Sequence, residues 1–314
     1  MRILSAFNLK GRLEYLIHIS YNLAMKTVEI ENVTIHLSHP DELPLQWVGQ
    51  QELLDQVLAA WLVLDDDDLP LNPRLIGKPG VGKTTLAYAA GRRLGRQVYL
   101  FQATMDTRPE DLLITPVLAG DGKIQYMASG IVTAMITGGV AVLDEGNRMS
   151  EKSWASLAPL LDNRRYVESI VAGVKIKAHP DFRICVTMND DASTFEIPEY
   201  IHSRLQPQIF IDFPEAEEER QILMQNLPFA PEKIVDYVVN FLQLAHVNNQ
   251  PYTVRDGINI ARYAIKLLSS TSKTRWPRNK IPPGPKRTRR ALAQAISMIL
   301  DESALEFLPD NKRE

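Results

Sequence analysis

The sequence predicts an α/β fold in which a parallel sheet is followed by a small all-helical domain. Short apolar runs alternate with helical segments up to about residue 213, which is the pattern of strands joined by helical crossovers. These runs do not alternate with polar residues, as expected of strands buried on both faces. After residue 213 the strand-like runs stop, and three segments with helical periodicity follow. We therefore expect an N-terminal extension (1–40), a core (41–213), a helical lid (214–272), and a basic linker with a final helix (273–314).

The individual elements follow from local patterns. A first helix is expected over 50–64, because apolar residues recur there at helical spacing. The core strands are expected at 74–76, 97–101, 139–144, 182–189 and 207–213, and the helices between them at 83–94, 129–138 and 150–163. The later helices are expected at 214–227, 232–245, 254–268 and 289–306. Pro214 and the glutamates that follow it suit a helix N-terminus.

Bulk composition narrows the class of protein. The chain has 314 residues and a formal net charge of -3, with 45% hydrophobic and 23% charged residues, which is ordinary for a globular protein. This charge provides no general attraction to nucleic acid or anionic membranes. No stretch reaches the ~20 apolar residues of a transmembrane helix. The single cysteine, Cys185, excludes an internal disulfide framework and favours a cytoplasmic location. Its apolar neighbours indicate a buried strand residue.

The first residues form an amphipathic stretch rather than a signal peptide, because Lys10, Arg12 and Glu14 interrupt the apolar positions. A more strand-like run begins after Met25. We hypothesise that translation starts at Met25, which the N-terminal mass of the native protein would test.

A glycine-rich loop follows the first core strand. The run GKPGVGKT, residues 77–84, matches the pattern GxxxxGK[ST] in full. Its glycines let successive N–H groups point at phosphate oxygens, and the helix that starts at Lys83 adds its positive end. Lys83 is expected to reach the β- and γ-phosphates, and the Thr84 hydroxyl is expected to bind Mg²⁺. A glycine turn without a ligand is the alternative, but the strand–loop–helix context argues against it. The residues expected to bind the nucleotide are Gly77, Pro79, Gly80, Val81, Gly82, Lys83, Thr84 and Thr85.

Two adjacent carboxylates end the apolar run GVAVLD, about sixty residues after the loop. Asp144 stands where a carboxylate can hold Mg²⁺ through water. Glu145 extends beyond it and can orient or deprotonate a water that attacks the γ-phosphate. A helix cap is the alternative interpretation. Together with the phosphate loop, the pair favours nucleotide hydrolysis.

Three more polar positions follow in order. Asn189 ends the strand FRICVTMN and would touch the attacking water if that strand lies beside the 71–76 strand; a turn-forming asparagine is the alternative. Arg204, in PEYIHSRLQP, is either an arginine finger for a neighbouring subunit or a surface arginine at a helix end. Arg255, in YTVRDG, begins a lid helix and could reach the γ-phosphate. Thr253 and Asp256 flank it as a capping-box-like pair.

The runs GKPGVGKT, VAVLDE, TMN, SRL and TVR, in this order and at these spacings, resemble the AAA+ ATPases, most closely the MoxR-like and dynein-related group. The resemblance covers roughly 45–270 and implies a P-loop NTPase sheet, ATP, Mg²⁺ and a homo-oligomeric ring, expected to be a hexamer. Asp190 departs from the family, which often has proline there. In the family's terms Lys83 and Thr84 are Walker A, Asp144 and Glu145 are Walker B, Asn189 is sensor 1, Arg204 is the arginine finger and Arg255 is sensor 2.

Two predicted hairpins interrupt the core, at 119–130 and at 164–180, the second turning at Ala172-Gly173. In a ring, such insertions would face the central channel or the upper rim. Tyr126 and Met127 are therefore candidate contacts to a client; the alternative is that they pack the hairpin onto its own domain. Arg164 and Arg165 are candidates for a subunit interface or for a solvated helix end.

The run 273–290 carries eight basic residues, four prolines and no acid. It could contact phosphate backbones, but a solvated tether or docking tail is the favoured interpretation. Outside it, 27 basic residues face 38 acidic ones (35 less 8, against 38). Nucleic acid is therefore not expected to pass through a ring of this chain.

These observations lead to a function with alternatives. The leading hypothesis is an ATP-hydrolysing ring that remodels or activates a protein partner, as MoxR-like chaperones do, with a von Willebrand A-domain protein as a possible client. The alternative is a nucleic-acid motor or restriction-type NTPase subunit, which predicts DNA-stimulated hydrolysis. A small-molecule P-loop kinase is a third class, against which Glu145 and the lid arginine Arg255 argue.

Overall fold

A computed structural model describes residues 26–44, 47–190, 197–270 and 284–309. The chain divides into two compact units, each made of several segments. The first comprises the described parts of Met1–Glu42, Leu94–Cys185 and Phe195–Arg204, and the second those of Leu43–Arg93, Val186–Thr194 and Leu205–Glu314. The predicted division into extension, core, lid and tail stays a prediction.

The five core strands and the three helices that the sequence predicts between them are all present, together with further strands and short helices. The strands are β1 Thr27–Ile30, β2 Val33–His36, β3 Arg74–Gly77, β4 Val98–Gln102, β5 Ile114–Leu118, β6 Ile124–Ala128, β7 Val140–Asp144, β8 Tyr166–Ser169, β9 Val174–Lys177, β10 Arg183–Asn189 and β11 Gln208–Ile211. The helices are α1 Gln51–Trp61, α2 Lys83–Arg93, α3 Pro109–Leu112, α4 Gly130–Thr137, α5 Glu151–Leu157, α6 Glu199–His202, α7 Ala216–Asn226, α8 Glu232–Val247, α9 Val254–Ser270 and α10 Pro285–Ile299.

Five strands form a sheet in the order β11–β3–β10–β7–β4. The pairs β11–β3, β10–β3 and β4–β7 are all parallel, which confirms the predicted parallel α/β architecture. All seven residues of β10 are buried. Cys185 in β10 is fully buried, so the prediction of a buried strand cysteine is confirmed, and this burial raises the pKa of its thiol.

A second sheet, in the first unit, has the order β1–β2–β6–β5. Residues Tyr126 and Met127 lie on β6, in register with Ile35 and His36 of β2, and are half-buried. Strand β6 therefore pairs on both sides, which favours the alternative that Tyr126 and Met127 pack within their own domain. The sequence did not predict that the N-terminal strands β1 and β2 would join this hairpin.

The second predicted hairpin is confirmed. Strands β8 and β9 pair antiparallel, with Ser169 opposite Val174. The turn between them spans 170–173 and includes the predicted Ala172-Gly173, with Gly173 in the left-handed region at φ 65°, where glycine costs least. Ile170 at this turn is 93% exposed.

The helices after β11 pack around one core in the second unit. Buried apolar residues of α7, α8, α9 and α10 form a single cluster that includes Leu223, Phe241 and Ile260. Three helices after residue 213 are thus confirmed. The last helix begins at Pro285 rather than near 289, because proline suits the first turn of a helix. The part of the basic run before Gly284 lies outside the described residues. Along the described chain, no helix is both long and apolar enough to cross a bilayer.

One carboxyl group is buried inside this helical cluster. Glu219 of α7 is fully buried, and its Oε2 accepts a hydrogen bond of 2.9 Å from Gln243 of α8. Its Oε1 has no hydrogen-bond partner among the described residues. Burial raises the pKa of Glu219 from 4.5 to about 7, against a smaller lowering effect of the Gln243 hydrogen bond.

We expect the helical cluster to lose stability as the pH rises from about 4.5 to about 7. A carboxyl whose folded pKa exceeds its unfolded value binds more protons in the folded state across this window, so the free energy of unfolding falls with pH. The full effect is on the order of 3 kcal/mol. Thermal unfolding at several pH values should show this slope in the wild type but not in Glu219→Gln. Glu217→Gln, at an exposed position of the same helix, is the control and should keep the slope; a wild-type slope in Glu219→Gln would contradict the assignment.

Candidate functional site

The glycine loop lies in the second unit, between β3 and α2. Gly80 and Gly82 have φ values of 90° and 103°, a region that side-chain-bearing residues rarely enter. A Cβ at Gly80 would meet the Thr253 Oγ1 at 2.7 Å, and one at Gly82 would meet the Trp47 ring at 3.1 Å. Both positions therefore favour glycine by conformation, and a Cβ at Gly80 would also displace the Thr253 side chain. The loop forms a cradle of the kind that holds phosphate oxygens with backbone N–H groups.

Lys83, the first residue of α2, is buried. Its ammonium donates hydrogen bonds of 2.8 Å to the carbonyl oxygens of Gly77 and Lys78. A cation is thus held on the loop itself, close to where phosphate oxygens would be bound. Thr84 follows as the second residue of α2, at the helix N-terminus expected to face a bound anion.

Asn189 is the last residue of β10 and is buried. It lies in register with Gly77, the last residue of β3. The sequence interpretation required that these two strands be neighbours, and this condition is confirmed. Because parallel strands end at the same edge of a sheet, the Asn189 side chain starts beside the glycine loop.

A pocket of about 290 Å³ adjoins the loop within the second unit. Its walls combine apolar side chains with amides and guanidinium groups, which suits a flat base and a sugar. The lining residues are Trp47, Val48, Gly80, Val81, Gly82, Thr85, Ile222, Asn226, Val254, Arg255, Ile258, Asn259 and Arg262. Of the predicted catalytic residues, Arg255 is the one that lines this pocket.

The start of α9 is fixed by a local cap. The Asp256 Oδ2 accepts hydrogen bonds from the Thr253 backbone N–H at 2.8 Å and from the Thr253 hydroxyl at 2.9 Å. The predicted pairing of Thr253 with Asp256 is therefore confirmed. This cap holds Thr253 against Gly80 and places Arg255, the second residue of the helix, at the pocket wall.

The acidic pair lies in the first unit. Residues Val140–Leu143 are buried and Asp144, at the strand end, is partly exposed. Glu145 follows with φ 55° and ψ 40°, a left-handed conformation that costs about 1–2 kcal/mol for a residue other than glycine. Such strain at a charged residue is typical of functional sites. The turn Gly146–Arg148 brings the Arg148 guanidinium back to the Glu145 carboxylate, and Nε and Oε2 form an ion pair. The angle between them is not that of a hydrogen bond.

Arg204 also lies in the first unit, two residues after α6. Its Nε and Nη2 each donate to the Asp162 Oδ2 at 3.3 Å, and its Nη1 donates to the Tyr200 carbonyl oxygen. The side chain is about one quarter exposed. The structure thus gives Arg204 partners within its own subunit.

No group of three or more histidine, cysteine, aspartate or glutamate side chains suited to a metal occurs in the described ranges. A Mg²⁺ ion that binds together with a nucleotide does not need such a group of side chains. The phosphates supply ligands, and the protein adds one hydroxyl and one carboxylate. Thr84 and Asp144 remain the predicted pair for this role.

A family model for the AAA domain of the dynein-related subfamily matches residues 74–205. These residues form an AAA domain of the dynein-related subfamily. The matched range begins at β3 and ends just after Arg204, so it contains the glycine loop, the acidic pair, Asn189 and Arg204. Arg255 lies outside it.

Curated relatives agree with this assignment. Von Willebrand factor A domain-containing protein 8 from Mus musculus is 26% identical over 270 residues, which is 79% of this chain and 14% of that protein. Midasin from Dictyostelium discoideum is 28% identical over 185 residues, 57% of this chain and 3% of that protein. An uncharacterized protein from Staphylococcus aureus is 24% identical over 179 residues, 55% of this chain and 68% of its own. The chain therefore spans a small fraction of the first two relatives.

Solved structures agree on the fold. The Thermotoga maritima RuvB Holliday junction branch migration motor superposes with a TM-score of 0.51 at 15% identity, over 81% of this chain and 72% of that one. At this identity the likeness concerns the fold alone, an AAA+ core with helices at the C-terminus.

Several residues that line the pocket beside the glycine loop were not predicted as site residues. Given the predicted Arg255, helical spacing would have indicated three of them, since positions i+3, i+4 and i+7 lie on the same helix face. These are Ile258, Asn259 and Arg262. Trp47 has no such signal, since only folding brings it over Gly82.

Proposed function

We propose that this chain is a Mg²⁺-dependent ATPase that assembles head to tail into a ring and remodels a protein partner. The observation that carries the nucleotide part is the glycine cradle, in which Gly80 and Gly82 adopt backbone conformations that side-chain-bearing residues rarely enter while Lys83 lies on the loop. The pocket beside it has the size and mixed lining of a nucleoside site.

The proposed roles follow from the positions of the side chains. Lys83 and the loop N–H groups bind the phosphates, and Arg255 approaches them from the lid. Thr84 and Asp144 would hold Mg²⁺, which neutralises phosphate charge when bound. Glu145 accepts a proton from the attacking water, and Asn189 orients that water. The strained backbone and the Arg148 ion pair support a defined position for the Glu145 carboxylate.

The ring follows from Arg204, which we propose to act on the nucleotide of a neighbouring subunit. A heterologous interface lets each subunit supply this residue to the next one, and such interfaces form a ring when the rotation between subunits closes. A hexamer is the proposed assembly, by likeness to AAA+ ATPases. A cytoplasmic location is part of the proposal and is supported by the single, buried cysteine.

We propose a protein client, and the von Willebrand A domain named in the mouse relative suggests one class. The turn between β8 and β9 supports a protein contact, because Ile170 is 93% and Val171 42% exposed. A cavity of about 400 Å³ lies beside this turn in the first unit, with largely apolar walls that include Leu113, Pro159 and Tyr166. Exposed apolar groups beside a cavity are typical of protein-binding surfaces.

Steady-state ATP hydrolysis at a series of protein concentrations tests the proposal. A composite site predicts that the activity per subunit rises with concentration until rings are complete, and that Lys83→Ala is inactive at all concentrations. Constant activity per subunit would argue for a self-sufficient site. Addition of DNA or RNA separates the alternative: stimulation that falls steeply with salt would favour a nucleic-acid motor.

A further inference from the structure

We propose that Asp162 is a positioning residue that orients the Arg204 guanidinium toward the nucleotide of the neighbouring subunit. This inference rests on the proposed function, in which Arg204 acts between subunits. Asp162 and Arg204 are 42 residues apart in the chain, and both lie in the first unit. Asp162 lies in the turns that follow α5, and Arg204 lies two residues after α6.

The guanidinium of Arg204 is held from two sides. The Asp162 Oδ2 accepts from Nε and Nη2, both at 3.3 Å, and the Tyr200 carbonyl accepts from Nη1. A guanidinium is planar and carries five N–H donors in fixed directions. Acceptors on two of its edges therefore define the orientation of the whole group. The Tyr200 ring also lies near it, with its centroid 5.8 Å from Cζ.

Asp162 is itself held rigidly. Arg164 donates to the Asp162 Oδ1 from its Nε at 3.0 Å and to the Oδ2 from its Nη2 at 2.8 Å. The Arg164 backbone N–H adds a bond of 3.0 Å to Oδ1. The Arg164 guanidinium lowers the pKa of Asp162 to about 2, against the opposing effect of burial. The carboxylate thus stays ionised and in one place at neutral pH.

The charges of this cluster suit a residue that must still attract phosphate. Two guanidinium groups share one carboxylate, so the three side chains sum to +1. Asp162 can therefore orient Arg204 without cancelling the positive charge that a triphosphate would meet. An arginine paired alone with one carboxylate would present a neutral pair.

Fold stability does not account for the pair. The side chains of Asp162 and Arg204 are 21% and 26% exposed, and ion pairs that contact solvent contribute about 0–1 kcal/mol. Asp162→Asn should therefore fold. Arg204 would keep its Tyr200 contact and lose the charged acceptor on its other side.

The test compares ATP turnover and trans complementation in the full chain. Asp162→Asn is expected to lower kcat about tenfold, with the Kd for ATP of a single subunit unchanged. Mixed with Lys83→Ala, it should regain activity, because Lys83→Ala subunits supply a correctly oriented Arg204 to intact phosphate loops. Mixed with Arg204→Ala, it should regain none, because both variants are defective in the same arginine. A general folding defect would not produce this asymmetry.

Asp181→Asn is the matched control, since it removes a carboxylate that pairs with Arg96 at 2.8 Å in the same unit; it should behave as wild type. Asp162→Ser provides a second variant should the Asn variant fail to fold.

Wild-type kcat in the Asp162 variants, together with an inactive Arg204→Ala, would overturn the inference and leave the proposed function standing. Wild-type kcat in Arg204→Ala would overturn both. Failure of Lys83→Ala to restore the Asp162 variants would place their defect in their own nucleotide site and refute the positioning role.

Discussion

Glu145→Gln is expected to bind ATP with unchanged affinity and to hydrolyse it at least about a hundredfold more slowly. The amide keeps the size and the backbone position of the glutamate but cannot accept a proton from water. The phosphate loop and Lys83 are untouched by this change, so binding should persist. The measurement is ATP turnover beside the nucleotide Kd.

Glu151→Gln is the matched control for this variant. It makes the same chemical change six residues further on, at an exposed position in the first turn of α5, and should turn over ATP at the wild-type rate. Wild-type turnover in Glu145→Gln would remove the assignment of Glu145 as the base. The inactive, ATP-bound form would also hold partners, so proteins that copurify with it would identify the client.

Arg204→Ala is expected to reduce hydrolysis by about a thousandfold, the scale of an arginine that contacts phosphate in the transition state. The physical reason is the loss of positive charge beside the phosphates, because Arg204 is the cationic side chain that we propose the neighbouring subunit supplies. Nucleotide binding by the single subunit should change little. Mixing equal amounts of Arg204→Ala and Lys83→Ala should restore activity up to about a quarter of wild type, the fraction of interfaces that combine an intact loop with an intact arginine.

The control is Arg96→Ala, which removes another arginine of the first unit, one that pairs with Asp181. It should keep wild-type turnover and should not need a partner variant. If the Arg204→Ala and Lys83→Ala mixture stays inactive although each variant is folded, the composite site and the ring proposal lose their main support.

Much of the fold is visible in the chain itself. The strand–loop–helix context around GKPGVGKT, the apolar run that ends at Asp144 and the helical periodicity after residue 213 each depend on neighbours within a few residues. Helix ends were predicted less well. The helix expected over 150–163 ends at Leu157 as an α-helix, because the residues that follow form turns leading into β8.

Other features depend on residues that are far apart in sequence. The pairing of β2 with β6 joins the N-terminal strands to the 119–130 insertion, for which the sequence left open either a client contact or packing within its own domain. The burial of Glu219 against Gln243 of α8 likewise depends on how two helices pack. Local patterns do not specify such pairs, because a side chain's partner is set by the approach of whole elements.

By itself, the sequence determined the chemical groups of this protein: a phosphate loop ending in Lys83 and Thr84, two acids at a strand end, and a strand ending in Asn189. These are short-range patterns, because backbone conformation and charge act between near neighbours. The tertiary structure alone decided what surrounds them. Thr253 and Trp47 close on the loop glycines, and Asp162 meets Arg204 across 42 residues, since only packing brings distant side chains within hydrogen-bonding range.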